Sequence, residues 1–492
     1  MGINVRVAVN RRSSGIYSWV AEIHHEHATL AFYGICSGSH FYEHVSTLEN
    51  KGIYLCERFQ RGTLRLGNKV IRLYFNYVSN MKILKKFILI LGLCSTGVSA
   101  EESRWWKGNL HTHSLWSDGD DYPEMIADWY RENGYNFLGI SDHNILAEGD
   151  RWIHAEKNAG GRLAFEKYLK KFGSDWVEHK TEKNIPKVRL KNFSEYEAKM
   201  SIEGKFLLMQ AEELTDQFQG VPIHLNATNL KNYIPPQGGS SLSSVLQNNV
   251  NAVMDQRKKT GQLMFPHINH PNFGWALKPT DMIKLKGEQF FEVYNGHPAV
   301  NNYGDAKHLS TVQIWDIINS YRVGIHKLPL MFGLATDDAH NYHQIAVGKS
   351  NTGRGWVMVK APALSPSSII KAMERGDFYS SSGVSISSIK TSGTAFSFKI
   401  SAEKGVTYTT WFVGTRKGFK SSKDLAKRNS LNPSEAGIGE ILSQTTSIEP
   451  NYIFKGDELY VRAHVVSSKK KANPYSLGEQ EQAWLQPVSP RE

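Results

Sequence analysis

Beyond Cys94 the chain contains no cysteine, and Cys36, Cys56 and Cys94 all lie in its first hundred residues. Whatever the remaining residues build has no disulfides, no thiolate metal ligands and no cysteine nucleophile. Long apolar runs are missing too: Phe87 to Cys94 falls well short of the roughly 20 residues a membrane-spanning helix needs. A true excess of positive charge is also lacking. The formal net charge is +11, but residues 1–100 hold 12 of the 58 Lys+Arg and only 5 of the 47 Asp+Glu, leaving +4 on the rest. Composition therefore indicates no specific nucleic-acid partner. No internal repeat and no serine in a nucleophile-elbow pattern occur.

What is present begins with a leader. Met81-Lys-Ile-Leu-Lys-Lys is basic, Phe87 to Cys94 is apolar, and Val98-Ser99-Ala100 offers small residues. That is the layout of a secretory signal peptide, so residues 81–100 are expected to be cleaved and the protein to be periplasmic or secreted, with no transmembrane segment in the mature chain. Leu91-Gly-Leu-Cys94 has part of a lipoprotein box, but Leu93 is bulky where a small residue belongs. A signal that starts at an internal Met implies that residues 1–80 are upstream translation, not a native domain. Their histidines (His24, His25, His27) are a compositional feature only.

From Trp105 to about Ser382, short apolar strands alternate with amphipathic or irregular stretches, which predicts an α/β domain over 101–382. Strands are expected to end near Leu110, Ile140, Gln210, Asn226, Pro266, Tyr294 and Ala335. Helices are expected over Pro123–Glu132 and from Pro366 to Gly376. The stretches 148–200 and 226–250 read as polar insertions. After Gly383 the pattern becomes alternating strands, predicting a separate all-β, sandwich-like domain over 383–492 with Lys469-Lys470-Lys471 as a solvated hairpin tip.

Six clusters fall at or just beyond the expected strand ends: His111/His113 with Asp118, Asp142-His143, Glu212-Glu213, His224, His267/His270, and Asp338-Ala339-His340. Residues two apart on a strand share a face, so His111 and His113 can grip one ion together. Strand C-termini in barrel-like domains open onto one face. So many imidazoles and carboxylates gathered there need counter-charge, which divalent cations supply. Singly, each cluster has a plainer role: Asp118-Gly119 as a turn, Asp142 as an orienting partner of His143, His224 as a core histidine, Asp337 as a loop brace.

The order His-x-His…Ser-Asp-Gly, Ser-Asp-His-Asn, Glu, His, His-Pro and Asp-Ala-His resembles the PHP (polymerase and histidinol phosphatase) family over about residues 104–345. The resemblance implies a distorted seven-stranded (β/α) barrel with two or three divalent ions (zinc, manganese or iron) at the strand C-termini. It implies ligands His111, His113, Asp118, His143, Glu213, His224, His270, Asp338 and His340. Glu213 stands where the family's Gly-x-Glu places its carboxylate, but Ala211 replaces the glycine and Glu212 is also acidic, so the choice between the two stays open. His267 and Glu292, the latter in Phe291-Glu292-Val-Tyr-Asn295, are expected to support the site from outside the ligand set.

Such a centre without a thiol or Ser/His/Asp signature points to water activated by metal as the nucleophile, and the resemblance implies hydrolysis of a phosphoric ester. His340 or Asp338 is the expected proton carrier. The substrate would be a small or oligomeric phosphoester. The alternatives are an amidohydrolase-like C–N or C–O hydrolase, or a non-catalytic binder of a glycan or partner braced by metal. Trp116, Phe273, Trp275 and Tyr342 lie near the motifs and could stack on a base or sugar, though aromatics beside loops more often pack.

Overall fold

The computed structural model describes residues 103–421 and 433–490, together with the backbone of strand segments between residues 4 and 75. The chain divides into two units, Met1–Ser99 and Ala100–Glu492. In the first, five strands from Asn4–Arg11 to Ile53–Tyr54 pair antiparallel in sequence order, and Gln60–Leu66 pairs with Lys69–Phe75. The signal-like segment 81–100 lies outside the described residues.

The second unit is mixed α/β around one sheet of thirteen strands. In chain order these are β1 (Arg104–Asn109), β2 (Phe137–Ile140), β3 (Leu207–Phe218), β4 (Val221–Thr228), β5 (Phe265–Ile268), β6 (Phe290–Asn295), β7 (Phe332–Thr336), β8 (Trp356–Ala361), β9 (Phe378–Ser381), β10 (Tyr408–Arg416), β11 (Glu440–Thr445), β12 (Glu458–Lys470) and β13 (Gln480–Val488). Their spatial order is β7-β6-β5-β4-β3-β2-β1-β8-β9-β13-β12-β10-β11. Pairs β1–β2, β2–β3, β5–β6 and β6–β7 are parallel, whereas β3–β4, β4–β5 and every pair from β1–β8 onward are antiparallel.

The outer strands of the β7-to-β1 run meet at one rim. Just past their ends a parallel bridge joins Thr112 to Ala339. His113 N–H donates to the Ala339 carbonyl and Asp338 N–H to the His111 carbonyl, each at 2.9 Å. Within the run, Leu110, Phe137, Met209, Phe265, Phe290 and Leu334 belong to one buried apolar cluster. Beyond it each strand's sequence turns polar, so an apolar base underlies a polar rim. The contact between β1 and β2 is close: a Cβ on Gly108 would lie 2.1 Å from the Phe137 ring, so only glycine fits there.

Helix Pro123–Glu132 forms where its spacing predicts, with proline in its first turn and Ile126, Ala127 and Tyr130 buried. Helix Pro366–Glu374 also forms, with Ser365 Oγ accepting from Ser368 N–H. The polar stretches are more ordered than their composition suggests. Residues 148–200 hold a three-stranded antiparallel sheet and helices Gly161–Phe172 and Phe193–Met200. Val188 and Leu190 alternate inward on a strand whose other residues are polar or half-buried. Residues 242–260 form a helix with a Ser241/Ser244 capping box.

The strands beyond Gly383 extend the same sheet: β13 pairs with β9, Tyr379 opposite Leu485. A second, three-stranded sheet (Ile386–Thr391, Ala395–Ile400, Asn451–Ile453) shares with it a core that includes Phe396, Phe398, Phe412, Tyr452 and Val461. Lys471 corrects the expectation of a solvated tip. It is buried, donating to the Tyr294 hydroxyl (2.6 Å) and the Arg354 carbonyl (2.8 Å) and pairing with Glu479 (3.4 Å). No described helix is long and apolar enough to cross a membrane.

Candidate metal centre

All nine residues singled out as ligands come together at the polar rim. His111 and His113 follow β1 with Thr112 between them. Thr112 turns away to the Tyr342 hydroxyl (2.5 Å), so the alternation of an extended chain puts both imidazoles on one side. His111 Nε2 lies 3.3 Å from Asp338 Oδ1 and 3.5 Å from Glu213 Oε1, and His113 Nε2 lies 3.2 Å from Asp338 Oδ1 and 3.5 Å from Glu213 Oε2. A parallel bridge between His143 and Glu213 extends the β2–β3 pairing. Glu213 thereby also faces His224 Nδ1 (3.1 Å) and His270 Nε2 (3.6 Å). Asp118, the most exposed of the set, stands 3.5 Å from His340 Nε2, 3.6 Å from His143 Nε2 and 3.8 Å from His113 Nδ1.

The choice between Glu212 and Glu213 is one of strand parity. Glu213 points into the centre, while Glu212 points to the other face and accepts from Ile234 N–H (3.2 Å). Burial pushes the Glu212 carboxyl up to about 8. Burial acts on Glu213 in the same sense, but His143, His224 and His111 hold it well below the usual carboxylate range. Asp338 is likewise held low against burial by His111, His113 and His340. Its backbone is in the left-handed region (φ 49°), which costs a non-glycine residue about 1–3 kcal/mol. The bond from Asp338 N–H to the His111 carbonyl and a short one from the Ser350 hydroxyl to the Asp338 carbonyl hold it there.

Burial, reinforced by neighbouring His340 and His143, lowers His113 to about 3, so it is a neutral imidazole. Burial would lower His143 too, but Glu213 and Asp118 raise it to about 9.

The clusters also contain the outer braces the sequence suggested. Glu292 is fully buried and accepts from His111 Nδ1 (2.6 Å), Thr336 Oγ1 (2.7 Å), His270 N–H (2.8 Å) and Asn295 Nδ2 (2.8 Å). His267 lies 3.5 Å from Glu292. Asp142 takes hydrogen bonds from Ser114 and Ser117, and Asp337 from Tyr130 and the backbone of Gly353, Arg354 and Gly355; both hold loops.

Trp116 is core, the Tyr342 hydroxyl is tied to the His113 and Ala339 carbonyls, and Trp275 stacks on His308. Only Phe273 stands beside the centre, with ring centroids 5.2 Å from His270 and 6.2 Å from His224. Sequence reasoning passed over Asn269, which donates to Glu213 Oε1 (2.7 Å), Thr215, 2.5 Å from His143 Nδ1, and His297. The signal for His297 was the His-Pro pair just past β6, a repeat of His270-Pro271 just past β5.

The donor set fits divalent metal. Among the described residues five groups place their ligand atoms within 4.8 Å of one another: four are made wholly of the expected ligands (His113/Asp118/His143/His340, His111/His270/Asp338, His111/His113/Glu213 and His143/Glu213/His224), and the fifth joins His111 to the braces His267 and Glu292. His111 Nε2, both nitrogens of His113, Glu213 Oε2 and His224 Nδ1 are buried without a hydrogen-bond partner. Orphaned polar atoms of this kind are costly unless an ion satisfies them. Four overlapping groups exceed what one ion can use. Protein purified without chelator should therefore carry more than one divalent ion per chain by elemental analysis; a ratio near zero that reconstitution cannot raise would contradict the assignment.

No family model matches the chain, and no curated protein matches it. Several solved structures are similar at low level, among them these two. One is a two-domain protein from Bacteroides vulgatus described as containing a predicted PHP-like metal-dependent phosphoesterase, at 13% identity, covering 78% of this chain and 95% of that one, with a TM-score of 0.34. The other is a putative metal-dependent phosphoesterase from Bifidobacterium adolescentis, at 12% identity, covering 51% of this chain and 91% of that one, with a TM-score of 0.28. Scores this low decide nothing about the present chain, and its function rests on its own residues.

Proposed function

We propose that this chain is an exported, metal-dependent phosphoesterase whose β1–β7 run is a distorted barrel of PHP type. The observation that carries the reading is the convergence of four ligand groups on Glu213, His113 and Asp338 with five buried polar atoms unpartnered. Bound divalent ions, zinc, manganese or iron, would lower the pKa of a water, hold the phosphoryl oxygens and neutralise charge in the transition state. His111, His113, Asp118, His143, Glu213, His224, His270, Asp338 and His340 would hold them. The hydroxyls beside the centre are already engaged, Ser114 and Ser117 with Asp142 and Thr215 with His143, which leaves water as the attacking group. Of the residues at the centre, His340 or Asp338 would be the one to carry the proton to the leaving group.

A panel of phosphomonoesters, phosphodiesters and amides with added manganese or zinc tests this reading. Phosphoester turnover that chelators remove is expected, with one oxygen from labelled water entering the phosphate in a single turnover. Amide turnover alone, or label appearing first on a protein side chain, would overturn it. For export, N-terminal sequencing of protein recovered outside the cytoplasm should begin near Glu101; a mature form that retains the Met81 segment would refute the signal peptide.

A further inference from the structure

His297 sits beside the centre but belongs to none of the ligand groups. Its ring centroid is 5.5 Å from that of His340 and 6.3 Å from that of Phe273. The segment that carries it is pinned. Its N–H donates to Asn295 Oδ1 (2.8 Å), the same Asn295 whose amide reaches Asp338 Oδ2 (3.1 Å), and Val300 N–H donates to its carbonyl (3.0 Å). A Cβ on the preceding Gly296 would come within 2.9 Å of the Asp337 carbonyl, so this turn packs directly against the loop that bears Asp338.

Hydrogen bonding fixes which ring nitrogen carries the proton. His111 and His340 both turn Nδ1 toward an acceptor, Glu292 and the Asp338 carbonyl respectively, so Nδ1 holds the hydrogen and Nε2 keeps the lone pair a metal needs. His297 is the reverse. Its Nδ1 faces the N–H of Ala299 (3.1 Å) and must accept, which leaves the hydrogen on Nε2. An imidazole locked in that tautomer has no lone pair at Nε2 to give a cation, but it has a fixed N–H to give an anion. His297 is half-buried, and among the described residues Nε2 has no hydrogen-bond partner.

We infer that His297 is a substrate-binding residue that donates its Nε2–H to a phosphoryl oxygen of the phosphoester, taking charge that the metals do not. This rests on the phosphoesterase reading above. Such a bond to an anionic oxygen corresponds to a 10- to 100-fold effect, about 1.5–3 kcal/mol.

The test uses the full-length, metal-loaded protein with inorganic phosphate as probe. In wild type, ring ¹⁵N shifts should report Nε2–H and bare Nδ1 for His297. His297→Ala should keep its metal content by elemental analysis while binding phosphate 10- to 100-fold more weakly, and His297→Gln, which retains an N–H donor, should recover part of the loss. The opposite tautomer, loss of metal from His297→Ala, or equal phosphate affinity in wild type and variant would each overturn the inference. Turnover of the ester panel is read separately: wild type that binds phosphate through His297 but hydrolyses no phosphoester defeats the functional reading and not this one.

Discussion

Glu213→Gln should strip divalent metal from the centre and lower kcat/KM by roughly 10³-fold or more, whereas Glu212→Gln, one residue away, should leave both within about twofold. The contrast follows from strand parity. Glu213 faces five imidazoles, those of His111, His113, His143, His224 and His270, and neutralising it removes the anionic partner they share. Glu212 sits on the opposite face with its carboxyl pushed up to about 8 by burial, so at neutral pH it is already an uncharged group that glutamine imitates. Elemental analysis and initial rates on the two variants side by side check this. Combining Glu213→Gln with Asp338→Ala should cost little more than either alone, because each change dismantles the same centre. Metal loss from Glu212→Gln, or multiplicative losses in the double variant, would show that the centre is organised differently.

The candidate ligands were legible in the sequence because most follow the apolar stretch of a strand, where polar side chains begin; Glu213 and His224 instead sit within β3 and β4, which run on past the ends their composition suggested. What could not be read were features decided by register and by distant contacts. Glu212 and Glu213 are equivalent in a one-dimensional pattern; only the bridge between His143 and Glu213 tells which of them faces inward. The buried role of Lys471 is set by Tyr294 and Arg354, each more than a hundred positions away, so three consecutive lysines resembled an exposed turn. The helix Leu242–Thr260 carries Ser, Asn and Gln on most of its surface, and its buried stripe of Val245, Leu246, Val250 and Val253 was too thin to stand out from a polar insertion. The change of texture at Gly383 is real, since strands replace helices there. It does not interrupt the sheet, because strand pairing depends on partners and not on local composition.

That continuity leads to the largest expected effect on stability. Asp316, on the helix Thr311–Tyr321, is buried against β12. Arg462 reaches it with two hydrogen bonds (Nε to Oδ1 2.7 Å, Nη2 to Oδ2 2.6 Å), and the Tyr460 hydroxyl donates to it at 2.8 Å. Gly439 (φ 64°) lies so close that a Cβ there would come within 2.6 Å of the carboxylate. Arg462 also lies 5.1 Å from the centroid of the Trp315 ring. Breaking a buried pair leaves the surviving charge without compensation, which costs about 3–5 kcal/mol, whereas replacing both partners with apolar groups of similar size removes that penalty. Asp316→Ala should therefore lower the urea midpoint sharply, and Asp316→Leu with Arg462→Met should regain most of the loss. Because the pair ties the helix Thr311–Tyr321 to β12, and β12 belongs to the same continuous sheet as β1–β7, unfolding followed by tryptophan fluorescence and by far-ultraviolet circular dichroism should give one coincident transition. Two separated transitions, with Asp316→Ala moving only one of them, would mean that residues 383–492 fold independently and that the pair merely decorates the contact between two domains.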